Sequence, residues 1–274
     1  MAHPRTPSAT YPPRRSGRSR GMANRSTHLG IVVGVDGSAG SAIAVEWAAQ
    51  DAVLRDVPLT LVHAARTRSQ RQRGQQVLDE ALRAVTAKVR VRCEMPCATT
   101  VFALADLSEH ADLVVVGCPG GGALRETQLC SVSSTLIHHA HCPVAVIPDD
   151  VQLTPESLGA PVLVGIDGSP EAELAMEIAF DEASTRGVGL VAVHNCDAST
   201  NLDETLAAVA GWTDRYPGVP VQREPAPADP VPQLVDHAKK AQLVVVGSQG
   251  SGAIAVTGVP IIVARTSPAR AGMN

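Results

Sequence analysis

The sequence predicts an α/β protein made of two tandem domains, each with a parallel sheet, the second shorter than the first. One observation is a repeat: GIVVGVDGS at 30–38 returns as PVLVGIDGS at 161–169, and LVVVG at 113–117 returns at 243–247. A repeat offset of about 130 residues is too long for a solenoid unit and indicates a duplicated domain. The other observation is the alternation of short apolar runs with helical segments, which is typical of a parallel sheet covered on both faces.

Five strands are predicted in the first domain, residues 29–148. The first is a continuous β-branched apolar run, the pattern of a strand buried on both faces, and the third alternates instead. In chain order these strands are Ile31–Val35, Leu59–Val62, Val89–Glu94, Leu113–Val116 and Val144–Ile147.

Four helices are predicted between these strands. In the first, Ile43, Trp47 and Leu54 keep helical spacing, and in the second a stripe that includes Val77 and Leu78 does the same. The predicted helices are Ala39–Leu54, Gln70–Lys88, Thr99–His110 and Ser131–His139.

The second domain, residues 161–266, repeats the pattern after a polar linker at 149–160 and before a tail at 267–274. Its predicted strands are Val162–Ile166, Leu190–His194, Val219–Gln222, Leu243–Val246 and Ile261–Val263. Its predicted helices are Glu171–Thr185, Leu202–Arg215 and Pro232–Lys240.

Composition limits the classes of function. The chain has 274 residues, 45% hydrophobic and 18% charged, which is enough apolar material for a core. Aromatic residues are only 2%, which argues against the base-stacking surface of single-stranded nucleic-acid binders. Residues 1–28 hold six of the 23 basic residues and no acid, so the remainder has 17 basic and 27 acidic residues, a net charge of −10. We therefore expect no nucleic-acid partner.

Neither a membrane span nor a secretory signal is expected, because the chain has no run of 18 apolar residues and no apolar segment at its N-terminus. Six cysteines are too few for a disulfide scaffold, so we expect a cytoplasmic protein with reduced thiols. The Pro-, Ser- and Arg-rich arm, residues 1–28, is predicted to be disordered. It is either a tether for an anionic partner, a passive tail, or sequence upstream of a start at Met22.

Three features lie where ligands bind in open parallel sheets, beyond the carboxyl ends of strands. Asp36 ends the first strand, where its carboxylate can accept hydrogen bonds from a ribose or an adenine amine, or can cap the following helix. Glycines at 117 and 120–122 let backbone N–H groups approach phosphate oxygens. Ser131 opens a helix and can donate to a phosphate or act as an N-cap. Neither a Walker loop nor a GxGxxG fingerprint fits.

Together these motifs resemble the universal stress protein family. The family pattern is a strand ending in D-G-S, a distal G-x2-G-x9-G-[ST] loop, a helix and a C-P-V strand. Here VGVDGS stands at 33–38, Gly117-x2-Gly120-x9-Cys130-Ser131 follows, and VSSTLIHHAHCPVAVIP stands at 132–148. The second domain has VGIDGS at 164–169 and Gly247-x2-Gly250. The resemblance covers about residues 29–265.

The resemblance implies a Rossmann-like, adenine nucleotide hydrolase-like fold with a five-stranded parallel sheet in each domain, and binding of ATP, with or without Mg²⁺. It implies that Asp36 contacts the adenosine part and that Ala64 faces the adenine through its backbone. It also implies that the phosphates are lined by Gly117, Gly120, Cys130, Ser131 and Val132. Family members pair through their last strand, so the resemblance implies a homodimer or pairing between the two domains through Val144–Ile147 and Ile261–Val263.

Two departures from the family pattern weaken the sites. Cys130 stands where the family has its third glycine, so a side chain occupies the place of a close backbone approach. Gly250 and Pro260 are 10 positions apart, whereas Gly120 and Pro143 are 23 apart, so the second domain lacks the length for its last helix. We therefore expect the second site, with Asp167, Gly247 and Gly250, to be degenerate, and apolar surface near Ile254 and Val256 to be covered by the first domain or another subunit.

Other chemistry has weaker support. His138, His139, His141 and Cys142 fit no standard zinc spacing, so no metal site is expected. Cys118 and Cys130 are redox-sensitive if the helix dipole lowers their pKa values. No nucleophile elbow is present, so the protein is not expected to be an enzyme, and slow ATP hydrolysis is the alternative. The leading hypothesis is a stress-response protein that senses ATP and contacts other proteins; the alternative is a nucleotide-free interaction or scaffold protein with decayed sites.

Overall fold

This computed structural model describes residues 28–119, 131–166, 169–195, 202–226, 231–248 and 258–265, which form ten strands and eight helices. The strands are β1 (Gly30–Gly34), β2 (Leu59–Val62), β3 (Val91–Glu94), β4 (Ala111–Cys118), β5 (Val144–Pro148), β6 (Val162–Ile166), β7 (Leu190–Asn195), β8 (Val221–Ala226), β9 (Leu243–Val246) and β10 (Ile261–Val263). The helices are α1 (Ala39–Arg55), α2 (Arg68–Ala84), α3 (Thr100–Ser108), α4 (Ser131–His139), α5 (Pro155–Leu158), α6 (Pro170–Arg186), α7 (Leu202–Arg215) and α8 (Val231–Ala238).

The strands form one sheet in the order β3-β2-β1-β4-β5-β10-β9-β6-β7-β8. Strand pairs within each domain are parallel, and β5 pairs with β10 antiparallel, with Val146 opposite Ile261 and Val144 opposite Val263. The predicted α/β fold class is therefore confirmed, with five parallel strands in each domain, and the two sets join into one sheet through β5 and β10. The two strands named as pairing edges, β5 and β10, pair with each other inside the chain.

Helices cover both faces of the sheet, so its central strands are buried on both sides. Ile31 and Val33 of β1 face a core layer that contains Trp47 of α1 and Phe180 of α6. Val32 faces the opposite layer, which contains Leu136 of α4 and residues of α3 and α8. All three β1 side chains are fully buried, which is the burial that the continuous β-branched run predicts.

Several predicted boundaries are wrong by a few residues. Helix α2 begins at Arg68 because Thr67 and Gln70 form a capping box, and it ends at Ala84, four residues before the predicted end. Strand β8 starts at Val221 and not at Val219. The linker at 149–160 contains the short helix α5, which Thr154 caps and a proline opens. Residues 249–257, where the sequence predicts loss of the last helix, lie outside the described residues, as do Ile254 and Val256.

A buried cluster of four charges joins α1 of the first domain to α6 of the second. Asp51 and Glu182 are each only 1% exposed. Arg55 donates to Asp51 at 2.8 Å and also to Glu182, and Arg186 donates to Glu182 at 3.1 Å and to Asp51 at 2.6 Å. Each arginine thus bonds the acid of its own helix and that of the other helix. We call these four residues the interdomain charge cluster.

Candidate functional site

The D-G-S segment after β1 forms a hydrogen-bonded turn that opens α1. The Asp36 carboxylate accepts the Ser38 N–H at 2.9 Å, and the Ser38 hydroxyl oxygen accepts the Ser41 N–H at 3.1 Å. Gly37 has φ of +86°, which favours glycine. Ser38, and not Asp36, is therefore the N-cap of α1.

Asp36 is exposed at the carboxyl edge of the sheet and does not cap the helix. Partial burial works to raise the pKa of Asp36, but hydrogen bonds from Ser38 and Ser41 outweigh it and lower the pKa below its ordinary value. The side chain is consequently an ionised acceptor at neutral pH. Such a group suits the hydroxyl and amine donors of an adenosine.

Gly117, near the end of β4, lies directly against the first turn of α1. A Cβ atom at this position would lie 2.4 Å from the Gly40 carbonyl oxygen and 2.8 Å from the Ser41 nitrogen. Both neighbours are backbone atoms, so no side chain fits without moving α1. At Gly247 in the second domain the fit is tight but less so, since an added Cβ atom would lie 3.0 Å from the Glu171 Cβ and 3.3 Å from the Glu171 carbonyl carbon. Packing of strand against helix therefore explains the repeated glycine of the LVVVG motif independently of any phosphate.

Ala64 lies just beyond β2, beside the end of β1. The neighbouring residues continue the β2–β3 ladder: His63 N–H donates to Glu94 at 3.1 Å, and Ala65 N–H donates to Pro96 at 3.0 Å. On the other side, Val35 N–H still donates to Val62 at 2.8 Å. Because β2 and β4 flank β1, Ala64, Asp36 and Gly117 lie at the same edge of three adjacent strands.

Of the residues predicted to line the phosphates beyond Gly117, the structure describes Ser131 and Val132. Ser131 opens α4 and is exposed, and Val132 beside it is half-buried. Gly120, Cys130, Asp167 and Gly250 lie outside the described residues. The structure thus brings together the residues predicted to contact adenosine, and it places Ser131 and Val132 at the start of α4.

The histidines near the end of α4 are not gathered around a common point. His138 and His139 are exposed, Cys142 is buried, and His141 lies 3.7 Å from Glu109. Across the described ranges, no three His, Cys, Asp or Glu side chains are grouped as a metal site. Burial, aided by the charge of Asp112, raises the pKa of Cys142 to about 12, so this thiol stays protonated.

The described cysteines, Cys93, Cys97, Cys118 and Cys142, are thiols that form no disulfide with one another. For the redox-sensitive pair predicted above, the structure shows Cys118 half-buried at the end of β4, whereas Cys130 is among the residues not described. No helix in the described part of the chain is both long and apolar enough to cross a membrane.

The structure gives two residues beside the predicted site contacts that the sequence does not specify. Ser41 supports the D-G-S turn through its N–H and through its hydroxyl, which donates to the Ser38 carbonyl at 3.0 Å. His63 follows the last residue of β2, and its ring nitrogen Nδ1 lies 2.7 Å from the Val35 carbonyl oxygen. The sequence feature that could have indicated this contact is the position of His63, directly before Ala64 at the end of a predicted strand.

Comparison with known proteins decides the family. The sequence model of the universal stress protein family matches residues 30–148 and 160–216. A universal stress protein of Mycobacterium tuberculosis is 41% identical, over 90% of this chain and 99% of its own length. This chain belongs to the universal stress protein family. Another universal stress protein of M. tuberculosis is 40% identical over 87% of this chain and 97% of its own.

Solved structures agree on the fold. A universal stress protein of Archaeoglobus fulgidus superposes with a TM-score of 0.71 at 19% identity, covering 86% of this chain and 98% of its own. A Pseudomonas aeruginosa protein of unknown function has a TM-score of 0.59 at 16% identity, covering 89% and 95%. The second family match ends at residue 216, before β8, so the family sequence pattern of the second domain is carried by its first half.

Proposed function

We propose that this universal stress protein binds an adenine nucleotide, ATP with or without Mg²⁺, at the carboxyl edge of its first domain. The observation that carries the proposal is the group of residues at the ends of β1, β2 and β4. There an ionised Asp36, the backbone of Ala64 and the helix-contacting Gly117 share one edge of the sheet. Ligands of parallel α/β sheets bind at this edge.

Each described part suits one portion of the nucleotide. Asp36 accepts hydrogen bonds from ribose hydroxyls, and charge-assisted bonds of this kind are among the stronger ones in proteins. Ala64 offers backbone groups to the adenine edge. The N-terminus of α4, at Ser131 and Val132, offers N–H groups and a partial positive charge to phosphate oxygens.

The second domain is proposed not to bind a nucleotide in this way. Its strand β6 is also followed by D-G-S, and Ser169 caps α6 by accepting the Ala172 N–H at 3.1 Å. However, only 14 residues, 247–260, separate β9 from β10, against 25 residues, 119–143, between β4 and β5. Fourteen residues cannot hold both a loop as long as 119–130 and a nine-residue helix like α4, whose N-terminus would hold phosphates.

Nucleotide binding would serve ligand sensing in a cytoplasmic stress response, with contacts to other proteins or to a second copy of the chain, and without enzymatic turnover. Strand β10 occupies the β5 edge within the chain. A homodimer would therefore have to use other surfaces. The alternative, a nucleotide-free scaffold, predicts the same fold with no bound ligand.

Nucleotide content separates these two functions. The purified protein is denatured, and released small molecules are identified by chromatography, for wild type and for matched variants Asp36→Ala and Asp167→Ala. We expect adenine nucleotide from wild type and Asp167→Ala, and much less from Asp36→Ala. A wild-type protein that neither carries nor takes up ATP would support the scaffold function instead.

A further inference from the structure

The end of the β1–β2 ladder is interrupted by a side chain. In a parallel ladder the next bond after Val35 N–H to Val62 would run from the Ala64 N–H to the Val35 carbonyl. That carbonyl is instead contacted by His63 Nδ1 at 2.7 Å. Among the residues that the structure describes, no acceptor is found for the Ala64 N–H.

The His63 ring is held firmly in this role. Because Nδ1 contacts a carbonyl oxygen, it must carry a proton and donate it, which fixes the tautomer of the neutral ring. On the opposite side α2 approaches the ring at Gly74, where a Cβ atom would lie 2.4 Å from His63 Cδ2. The ring is therefore packed between the end of β1 and α2.

We infer that His63 is a positioning residue for base recognition: its imidazole caps the Val35 carbonyl and thereby leaves the Ala64 N–H free to read the nucleotide base. This inference rests on the proposed adenine-nucleotide site. A free N–H group can donate a hydrogen bond to N1 of adenine, which is an acceptor. It cannot do so with guanine, because N1 of guanine carries a hydrogen and the two donors would face each other. His63 thus contributes to the choice of adenine over guanine without contacting the base.

Two substitutions separate positioning from simple packing. In His63→Asn the side-chain amide nitrogen can still donate to the Val35 carbonyl, whereas His63→Leu fills space but donates nothing. When no side chain donates to the Val35 carbonyl, the Ala64 N–H donates to that carbonyl instead and is no longer available to the base. Loss of one hydrogen bond of ordinary net strength corresponds to roughly a 3–10-fold change in affinity.

The readout is the ratio of ATP to GTP dissociation constants, measured by titration calorimetry. We expect His63→Leu to reduce the preference for ATP by about 3–10-fold, and His63→Asn to keep it close to wild type. His194→Leu, at the equivalent end of β7, is the matched control and should leave the ratio unchanged. Equal weakening of ATP and GTP in His63→Leu, or an unchanged ratio, would overturn the inference.

Amide hydrogen exchange of the wild type tests the cap even where a variant does not fold. Without nucleotide, the Ala64 amide should exchange much faster than the His63 and Ala65 amides, and ATP should slow it. A protected Ala64 amide in the nucleotide-free protein would contradict the inference. If the wild type binds neither ATP nor GTP, the proposed function fails, while exchange at Ala64 still reports on the cap.

Discussion

Replacement of Arg186 by methionine should strongly destabilise the junction between the domains. The arginine side chain is only 6% exposed and bonds both Asp51 and Glu182. Methionine keeps much of the length and apolar packing but leaves two buried acids to share Arg55 alone. Removing one partner of a buried ion pair costs about 3–5 kcal/mol, because the remaining charge is uncompensated.

A smaller loss comes from the aromatic face that Arg186 covers. Its guanidinium carbon lies 5.3 Å from the centre of the Trp47 ring, a cation–π contact worth about 0.5–2 kcal/mol. We therefore expect the free energy of unfolding to fall by at least ~3 kcal/mol. With a urea dependence of ~3 kcal/mol per molar, the upper part of the range for small proteins, the midpoint falls by roughly 1 M or more.

The assay is urea unfolding followed by circular dichroism and by Trp fluorescence, with Lys239→Met as the matched control. Lys239 pairs with Asp236 at 2.8 Å, but both side chains are largely exposed, so its removal should leave the urea midpoint close to that of wild type. An equal, small effect of both substitutions would refute the argument that the interdomain charge cluster is buried and mutually dependent.

The pH dependence gives a second readout of the same variant. Burial raises the pKa of Glu182 above its ordinary value, although Arg55 and Arg186 oppose this. Without Arg186 the pKa rises further, so the folded variant retains a proton that the unfolded chain releases at the ordinary Glu pKa. The stability of the variant therefore falls as pH rises from the ordinary Glu pKa through the raised pKa of Glu182. The free energy of unfolding that Arg186→Met loses relative to wild type should be larger at pH 8 than at pH 5.

Three other outcomes are expected. Gly117→Ala should lower the melting temperature, because the new Cβ atom would lie 2.4 Å from the backbone of α1. Gly211→Ala is the control: Gly211 lies in α7 with open space around it, so this substitution should raise stability by up to about 1 kcal/mol. Cys142, with its pKa raised to about 12, should resist iodoacetamide at pH 8 while exposed Cys97 reacts, as mass spectrometry of the labelled peptides would show. Cys130→Gly should tighten ATP binding ~3–10-fold if it restores one backbone hydrogen bond. An unchanged dissociation constant would show that the Cys130 side chain does not weaken the site.

Most of the fold was predictable from local pattern. The continuous apolar runs of the two LVVVG repeats, at 113–117 and 243–247, are buried on both faces of the sheet, as their composition indicates. The helix α5 was missed because four residues carry no usable periodicity. The D-G-S motif indicated that Asp36 ends the first strand at the carboxyl edge of the sheet, and the structure shows that Ser38, not Asp36, caps α1.

The interdomain charge cluster was not predicted, because an acid and an arginine four residues apart on a helix usually form an exposed pair. The useful signal was the repeat itself: Asp51 and Arg55 recur 131 positions later as Glu182 and Arg186. The role of His63 also required the strand register. Whether a strand-end histidine caps a neighbouring carbonyl depends on the pairing of β1 with β2, which a single sequence does not specify.

Calorimetric titration of the purified, nucleotide-stripped protein with ATP tests the central claim most directly. One binding event per chain is expected, lost in Asp36→Ala and retained in Asp167→Ala, because only the first domain has the length to complete a phosphate site. Two binding events per chain, or an Asp36→Ala variant that binds ATP as wild type does, would contradict the account.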